Sequence, residues 1–416
     1  MNTRSETCSP LTAAANAERR IHSPATRLVF DMARGLRGGT VVFRLPGGDA
    51  LECGSGEPRL HCIVNDENVF ERVLAHGDIG FAEGYMAGEW DSDHLGDLLT
   101  LLASNRDTLA RALHGSMWRL IGHRLRHLLR SNTRKGSRRN IQAHYDLGND
   151  FYREWLDPSM TYSSALFDSP EQDLEAAQLN KYRRLLQAMN VQPGQHILEI
   201  GCGWGGLAEV ATIEFECRVT GLTLSSAQLA CTMVRAQHHG FADRAEFHLR
   251  DYRDERGSYD HIISIEMIEA VGERYWPTYF RQLATCLKPG GQIGIQAITI
   301  ADELFANYRR GTDFIQRHVF PGGMLPSPQQ VQRQAARAGL AIVDDRAFGL
   351  DYARTLVCWR EAFESKLEQV RAQGFDETFI RLWRFYLCYC EAGFRAGSTD
   401  VHHYVLAHAD LQAPAQ

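Results

Sequence analysis

The sequence predicts an α/β fold: a mostly parallel, seven-stranded sheet in the C-terminal part of the chain, preceded by a small α+β domain. Three observations predict it. From about Asn140 onward, short apolar strand patterns alternate with longer helical ones, the order that builds a parallel sheet. Within that stretch an apolar strand, HILEI, runs straight into a glycine-rich turn and then a helix pattern. The first hundred or so residues lack this repeat and carry short alternating runs broken by turn residues instead.

Composition bounds the class. The 416 residues are 44% hydrophobic and 23% charged, with 36 Gly and 13 Pro, the make-up of a folded globular protein. At roughly 150 residues per domain that length suggests two or three domains. The formal charge of -6 argues against a dedicated nucleic-acid binder, which gains affinity from a cationic surface. No run approaches the roughly 18 apolar residues of a bilayer-spanning helix, and MNTRSETCSPLTAAANAERR lacks the apolar segment of a secretory signal, so a soluble, cytoplasmic protein is expected. The ten cysteines are scattered with no CxxC pair, which suits reduced packing thiols and no metal site.

Three zones follow in order. Residues 1–107 contain TVVFRL and LHCIV, with the turn PGGD between two such runs, and read as short antiparallel strands; GDIGFAEGYMAGEW and HLGDLLTLLAS then read as small helices. Residues 108–139 form a basic linker. Between Asp107 and Asp146 no acid occurs, while nine cations (Arg111, Arg119, Arg124, Arg126, Arg130, Arg134, Lys135, Arg138 and Arg139) interleave with leucines. Such a segment suits the surface of an anionic membrane, each cation adding on the order of 1 kcal/mol, or else a solvated connector whose leucines pack on a neighbouring domain. Residues 140–416 form the catalytic domain, with strands at 196–200, 218–223, 245–249, 261–265, 292–298, 340–343 and near 402–406, and helices that include 327–338 and 376–396.

The loop of Gly201, Gly203, Gly205 and Gly206 lets a ligand approach the backbone at the first crossover. A glycine loop alone is a weak signal, since many tight turns resemble it. Glu199 just before it disfavours a pyrophosphate and suits a ligand with a cationic amino-acid end. Asp251 and Tyr252, after the third strand, suit an adenine amino group and an adenine face. Together these favour S-adenosylmethionine over NAD.

On the same edge, SIEMIEAVGERYW places Glu266 within the fourth strand and Glu269 at its carboxyl end. Glu269 is a candidate general base, or a surface carboxylate capping the next helix. Gln296 and Ile298 end the fifth strand, and Tyr352 lies where a later loop could fold back over the edge, although alone it reads as a packing residue. Aromatic residues crowd HYDLGNDFYREWLDPSMTYSSALF and RLWRFYLCYCEAGF; their rings could line a greasy tunnel and steady a cation, but the second stretch reads first as a buried amphipathic helix.

With LEIGCGWGG, VTGLTLSSAQ, MIEAVGERYW, FIQRHVFPGGMLPS and DYARTLVCW following HYDLGNDFYREWLDPSMTYSSALF in order, nearly the whole chain resembles the cyclopropane-fatty-acyl-phospholipid synthases and the related mycolic acid cyclopropane synthases. The resemblance implies a Rossmann-like class I methyltransferase domain that transfers a methyl group from S-adenosylmethionine to a cis double bond of an acyl chain, commonly in a membrane phospholipid. It implies cofactor contacts from Tyr162 and Ser163 at the methionine end, Gly201 and Gly203 in the loop, Thr223 and Gln228 at the ribose, and Asp251 with Tyr252 at the adenine. It further implies a bound bicarbonate that removes a proton from the added methyl, with Glu269, Tyr352 and Ile298 matching the family's Glu, Tyr and Ile. Ser164 stands where many members carry Cys, and Gln296 where many carry His; a plant-like branch of the family looks similar at both.

The expected activity is therefore formation of cyclopropane fatty acids on unsaturated phospholipids, by an enzyme lying peripherally on the inner face of the membrane, with a homodimer as the family pattern. Methyl- or methylene-branched acyl products, methylation of a small-molecule amine, and a lipid-binding scaffold without turnover are the alternatives.

Overall fold

The computed structural model describes residues 23–113 and 147–409, which divide into two compact units. Among those residues, the first unit holds 23–113 and 376–396, and the second holds 147–375 and 397–409. The basic residues from Arg119 to Arg139 lie outside the described residues.

The first unit carries a four-stranded sheet of β1 (Gly39–Arg44), β2 (Ala50–Ser55), β3 (Arg59–Val64) and β4 (Trp90–Asp91), in the order β2-β1-β3-β4. The PGGD turn joins β1 and β2 into an antiparallel hairpin, as read from the sequence. β3 departs from that reading: it runs parallel to β1, from Thr40 opposite Arg59 to Arg44 opposite Ile63. The chain reverses after β2 and then passes to the far edge of β1, so the sheet is mixed. Turn chemistry signals the reversal and not the edge on which the next strand lands.

The helix Glu377–Arg395 also belongs to this unit, whereas the sequence reading carried the catalytic domain unbroken to residue 416. Its buried face presents Phe385, whose ring centroid lies 5.6 Å from Tyr85 and 6.4 Å from Trp90. Arg381 donates to the Tyr85 and Trp90 carbonyls and to Asp91. Gly96 permits the close approach, since a Cβ there would sit 3.0 Å from the Glu391 carboxylate. An amphipathic stripe says that a helix is buried, not which core buries it.

The second unit is built on seven strands: β5 (His196–Ile200), β6 (Arg218–Thr223), β7 (Ala245–Leu249), β8 (Tyr259–Ile265), β9 (Leu287–Ile300), β10 (Leu340–Ala347) and β11 (Thr399–His408). Their order is β10-β11-β9-β8-β5-β6-β7. All neighbours are parallel except β11, which is antiparallel to both β9 and β10. The mostly parallel sheet expected from the sequence is the one observed.

Both faces are covered, by Trp276, Tyr279, Phe280 and Leu283 on one side and by Leu185, Leu186, Leu207 and Val210 on the other. Each such side chain contributes roughly 1.5–3 kcal/mol through burial. Strand order reverses at β5, flanked by β6 and β8, so the carboxyl ends of β5, β8 and β9 surround the crevice where open α/β sheets bind ligands. No helix among the described residues is long and apolar enough to cross a membrane.

Candidate active site

The glycine turn after β5 has the backbone its sequence demands. Gly201 takes φ 84°, and a Cβ there would meet Met267 Cγ at 2.4 Å; Gly203 takes φ 50° and faces open space. Beneath the turn, Glu199 is 4% exposed, and its Oε2 has no partner among the described residues. Burial holds its carboxyl well above the usual range. A buried carboxyl with a bare oxygen suits an ammonium group, whose charge favours the ionised form, so the site fits the amino-acid end of S-adenosylmethionine.

Thr223 and Gln228, assigned to the ribose, meet through a 3.0 Å hydrogen bond in which Thr223 Oγ1 donates to Gln228 Oε1. Tyr252 is buried. Asp251 is held by Arg253 in a two-pronged ion pair, with the nearer oxygen of each prong 2.8 and 2.5 Å away, and accepts a third bond from the Arg253 amide. Tyr162 sits among Tyr152, Trp155 and Trp359, with ring centroids 5.3, 5.5 and 5.3 Å away. The first aromatic stretch therefore gathers its rings beside Tyr352, which is 6.0 Å from Trp359.

The centre of the site is Glu266. It lies just past the end of β8 in the left-handed region, φ 49°, where a residue bearing a Cβ is strained by on the order of 1–3 kcal/mol. Its own amide donates to the Gln296 carbonyl at 2.8 Å. Its carboxylate accepts three hydrogen bonds: from the Ser164 amide at 2.8 Å, from Gln296 Nε2 at 2.7 Å and from the Tyr352 hydroxyl at 2.8 Å. The Ser164 hydroxyl points elsewhere, donating to the Ala165 carbonyl, so it is the backbone amide of this residue that meets Glu266.

Four elements bring these groups together. Gln296 and Ile298 share one face of β9 because side chains alternate along a strand. Tyr352 belongs to the helix Gly349–Ser365, whose buried stripe of Tyr352, Thr355, Leu356 and Trp359 follows the helical repeat. His403 stands opposite Gln296 in the β9–β11 register, and its Nε2 is 2.9 Å from Gln296 Oε1. Because the Gln296 NH2 is spent on Glu266, its Oε1 must accept, so His403 carries its proton on Nε2. Burial, and next the Lys181 charge, keep that imidazole well below its usual pKa and neutral.

Lys181, fully buried, donates from Nζ to Ser163 Oγ at 2.5 Å and to the Ser164 carbonyl at 2.8 Å. It and Glu266 both bond the Ser164 backbone, the lysine at its carbonyl and the glutamate at its amide. Burial pulls the lysine down and the glutamate up, and the opposite charge of each opposes the other's shift. The sequence reading missed Lys181 and His403. A lysine inside the buried stripe Ala177, Gln178, Lys181, Tyr182, Leu185 was the available signal.

Glu269 differs from the expectation that paired it with Tyr352 and Gln296. It begins a separate pair, accepting from the Ile298 amide at 2.5 Å through Oε1, while Oε2 has no partner among the described residues. Burial, then the Glu266 charge, pushes its carboxyl up to about 8. With one donor against three for its neighbour, Glu269 is the neutral acid and Glu266 the ionised carboxylate.

The bicarbonate implied by the resemblance does not fit these residues. The donors expected to hold it, the Ser164 amide, Gln296 and Tyr352, are engaged by Glu266, and the Ile298 amide by Glu269. The correction has a simple cause: Glu266 was read as a residue inside the strand, and its turn out of β8 puts a carboxylate on the anion's ligands.

Comparison with known proteins agrees with this architecture. The family model "Mycolic acid cyclopropane synthetase" matches residues 132–404. The tuberculostearic acid methyltransferase UfaA1 of Mycobacterium tuberculosis is 42% identical over 376 residues, covering 88% of this chain and 87% of that protein. The cyclopropane-fatty-acyl-phospholipid synthase of Escherichia coli is 33% identical over 351 residues, covering 83% of this chain and 87% of its own. Among solved structures, the mycolic acid cyclopropane synthase CmaA1 complexed with SAH and CTAB superposes with a TM-score of 0.61 at 30% identity, over 65% of this chain and 97% of that one. With two thirds of its length matched by the family model and its sheet shared with these enzymes, the chain belongs to the mycolic acid cyclopropane synthetase family of S-adenosylmethionine-dependent methyltransferases.

Proposed function

We infer that the protein methylates the cis double bond of unsaturated acyl chains in membrane phospholipids and closes the product to a cyclopropane. The observation that carries this reading is the carboxyl group of Glu266, fixed by three donors at the carboxyl edge of the sheet beside a cluster of aromatic rings. S-adenosylmethionine, when bound, supplies an electrophilic methyl on a sulfonium. Glu199 and the glycine turn suit its amino-acid end, with Tyr162 and Ser163 close by; Thr223 and Gln228 suit the ribose, and Asp251 and Tyr252 the adenine.

The chemistry then asks three things of the protein. The alkene π pair forms the new C–C bond as the S–CH3 bond breaks, leaving a cation on the other alkene carbon. An alkene is a weak nucleophile, so orientation in a dry site must supply much of the rate, on the order of 7–11 kcal/mol. Ring faces such as Tyr162 and Trp359 suit the cation. A carboxylate then takes a proton from the added methyl while the ring closes, which leaves the sequence redox-neutral.

The 42% identity to a tuberculostearic acid methyltransferase supports a second reading. If a hydride first shifts to the cationic carbon, loss of the same methyl proton gives a methylene-branched chain; a saturated methyl branch would need a further two-electron reduction by another enzyme. Purified protein, S-adenosylmethionine and vesicles of unsaturated anionic phospholipid test both. One CH2 per modified chain with cyclopropyl protons in the NMR spectrum is expected. Vinylic methylene protons would select the second reading, and turnover restricted to water-soluble amines would overturn both. Docking through the basic segment predicts that turnover falls when the vesicles are made neutral.

A further inference from the structure

We propose that Glu266 is a built-in replacement for an exchangeable anion, so that this enzyme removes the methyl proton with its own side chain and has no bicarbonate requirement. The inference rests on the reading that an acyl alkene is methylated, and it names the base for that reaction.

Two independent observations carry it. The Ser164 amide, Gln296 Nε2 and Tyr352 hydroxyl form a three-donor cup of the kind that holds a small oxyanion, and the group in the cup is the Glu266 carboxylate, at 2.7–2.8 Å from each. The second is backbone strain. Glu266 is one of only four non-glycine residues with positive φ among the described residues, and it sits at the end of the central strand β8. A glycine would take that conformation freely. Strain retained at an otherwise well-formed strand end signals that the side chain is needed there.

The surroundings keep the carboxylate competent. His403 fixes the amide of Gln296 so that its NH2 faces Glu266, and Lys181 donates to the Ser164 carbonyl, where its charge when protonated favours the Glu266 anion. Glu269, the neighbouring acid, stays neutral and so does not compete for the donors. Glu266 also keeps accessible surface although Ser164, Gln296 and Tyr352 around it are buried, as a base facing a substrate cavity must. In the step itself, the C–H electron pair of the added methyl closes the ring onto the cationic carbon, and the proton passes to the Glu266 carboxylate. Water or the next substrate exchange returns it to solvent.

The test uses the full-length protein in buffer freed of carbon dioxide, with bicarbonate added back. Wild type is expected to turn over equally with and without bicarbonate and to leave the 13C resonance of labelled bicarbonate unbroadened. Glu266→Gly relieves the strain and empties the cup: its kcat should fall roughly 100- to 10,000-fold, the contribution of a positioned general base. Bicarbonate should restore at least tenfold of that loss and should bind this variant in the NMR titration. Glu266→Gln keeps the cup filled without a base, and should be inactive with or without bicarbonate while still binding S-adenosylmethionine. A wild type that needs or binds bicarbonate would overturn the proposal, as would Glu266→Gly that keeps its rate in depleted buffer. The NMR arm reads the anion site with no turnover at all, so a failure of the acyl-methylation reading is distinguishable from a failure of this one. If Glu266→Gly does not fold, the wild-type arm and Glu266→Gln decide.

Discussion

Replacing Glu269 by Gln tests the division of protonation between the two neighbouring carboxyls. Burial and the charge of Glu266 raise the Glu269 carboxyl from its ordinary 4.5 to about 8. A group whose pKa is raised on folding contributes stability that is whole below the unfolded value and is lost as pH rises through the folded one. Wild type should therefore weaken relative to Glu269→Gln across pH 4.5–8, since Gln is neutral throughout and its carbonyl can still accept from the Ile298 amide.

At about 1.4 kcal/mol per pH unit, full burial would give on the order of 3–4 kcal/mol between pH 5.5 and 8.5. Glu269 keeps some solvent access, so roughly half of that, about 2 kcal/mol, is the expected gain of the variant. For a 416-residue protein that is a widening of the melting-temperature gap by roughly 2–3 °C. Urea unfolding and thermal scans at the two pH values, without ligand, measure it. In the Glu266→Gln background the widening should shrink, because the charge that helps hold Glu269 neutral is gone. A gap that is flat with pH, or that closes as pH rises, would refute the assignment of Glu269 as the neutral member.

Three further outcomes are expected. Glu199→Gln should weaken S-adenosylmethionine roughly 10- to 100-fold by calorimetry, the worth of one charged hydrogen bond, and should raise the ligand-free melting temperature at pH 8, because a carboxyl raised by burial destabilises the fold once ionised. His403→Leu leaves Gln296 Oε1 buried without a donor, so stability should fall by about 1–3 kcal/mol and kcat should drop while the S-adenosylmethionine Kd holds; an unchanged kcat would show that the Gln296 amide needs no fixing. Glu266→Asp withdraws the carboxylate by about 1.5 Å, which should cost on the order of 100-fold in kcat and raise the methylene-branched share of product, since a slower base gives the hydride shift more time; loss of rate with an unchanged product ratio would separate the base from product choice.

The sheet was legible because its signals are local. Each strand of the second unit is a short apolar run bounded by turn residues, and the glycines of LEIGCGWGG mark the one place where the backbone must take positive φ. Gln296, Ile298 and Tyr352 were legible as site residues because the family's motifs surround them. Four features were not. The pairing of β3 with the far edge of β1, and the docking of Glu377–Arg395 onto the first unit, are choices of partner that no local pattern encodes. Lys181 and His403 lie on a helix stripe and a strand that read as ordinary core, and only the tertiary register brings them to Gln296 and Ser164. Glu266 was seen and misplaced, because SIEMIEA gives no turn residue to mark the end of β8.

That misplacement also shows how two adjacent glutamates acquire different chemistry. Glu266 and Glu269 are three residues apart, both deep in the crevice at the edge of the same sheet, and desolvation alone would push both carboxyls up together. What separates them is the supply of donors. Left-handed backbone at Glu266 swings its carboxylate toward the Ser164 loop, β9 and the Gly349–Ser365 helix at once, where three donors and the Lys181 charge favour the anion. Glu269, on the short helix Ile268–Val271, meets a single backbone amide and the charge of its neighbour, which favours the acid. The asymmetry thus goes with one φ angle: the left-handed turn at residue 266 carries one carboxyl to three donors, while its neighbour has one.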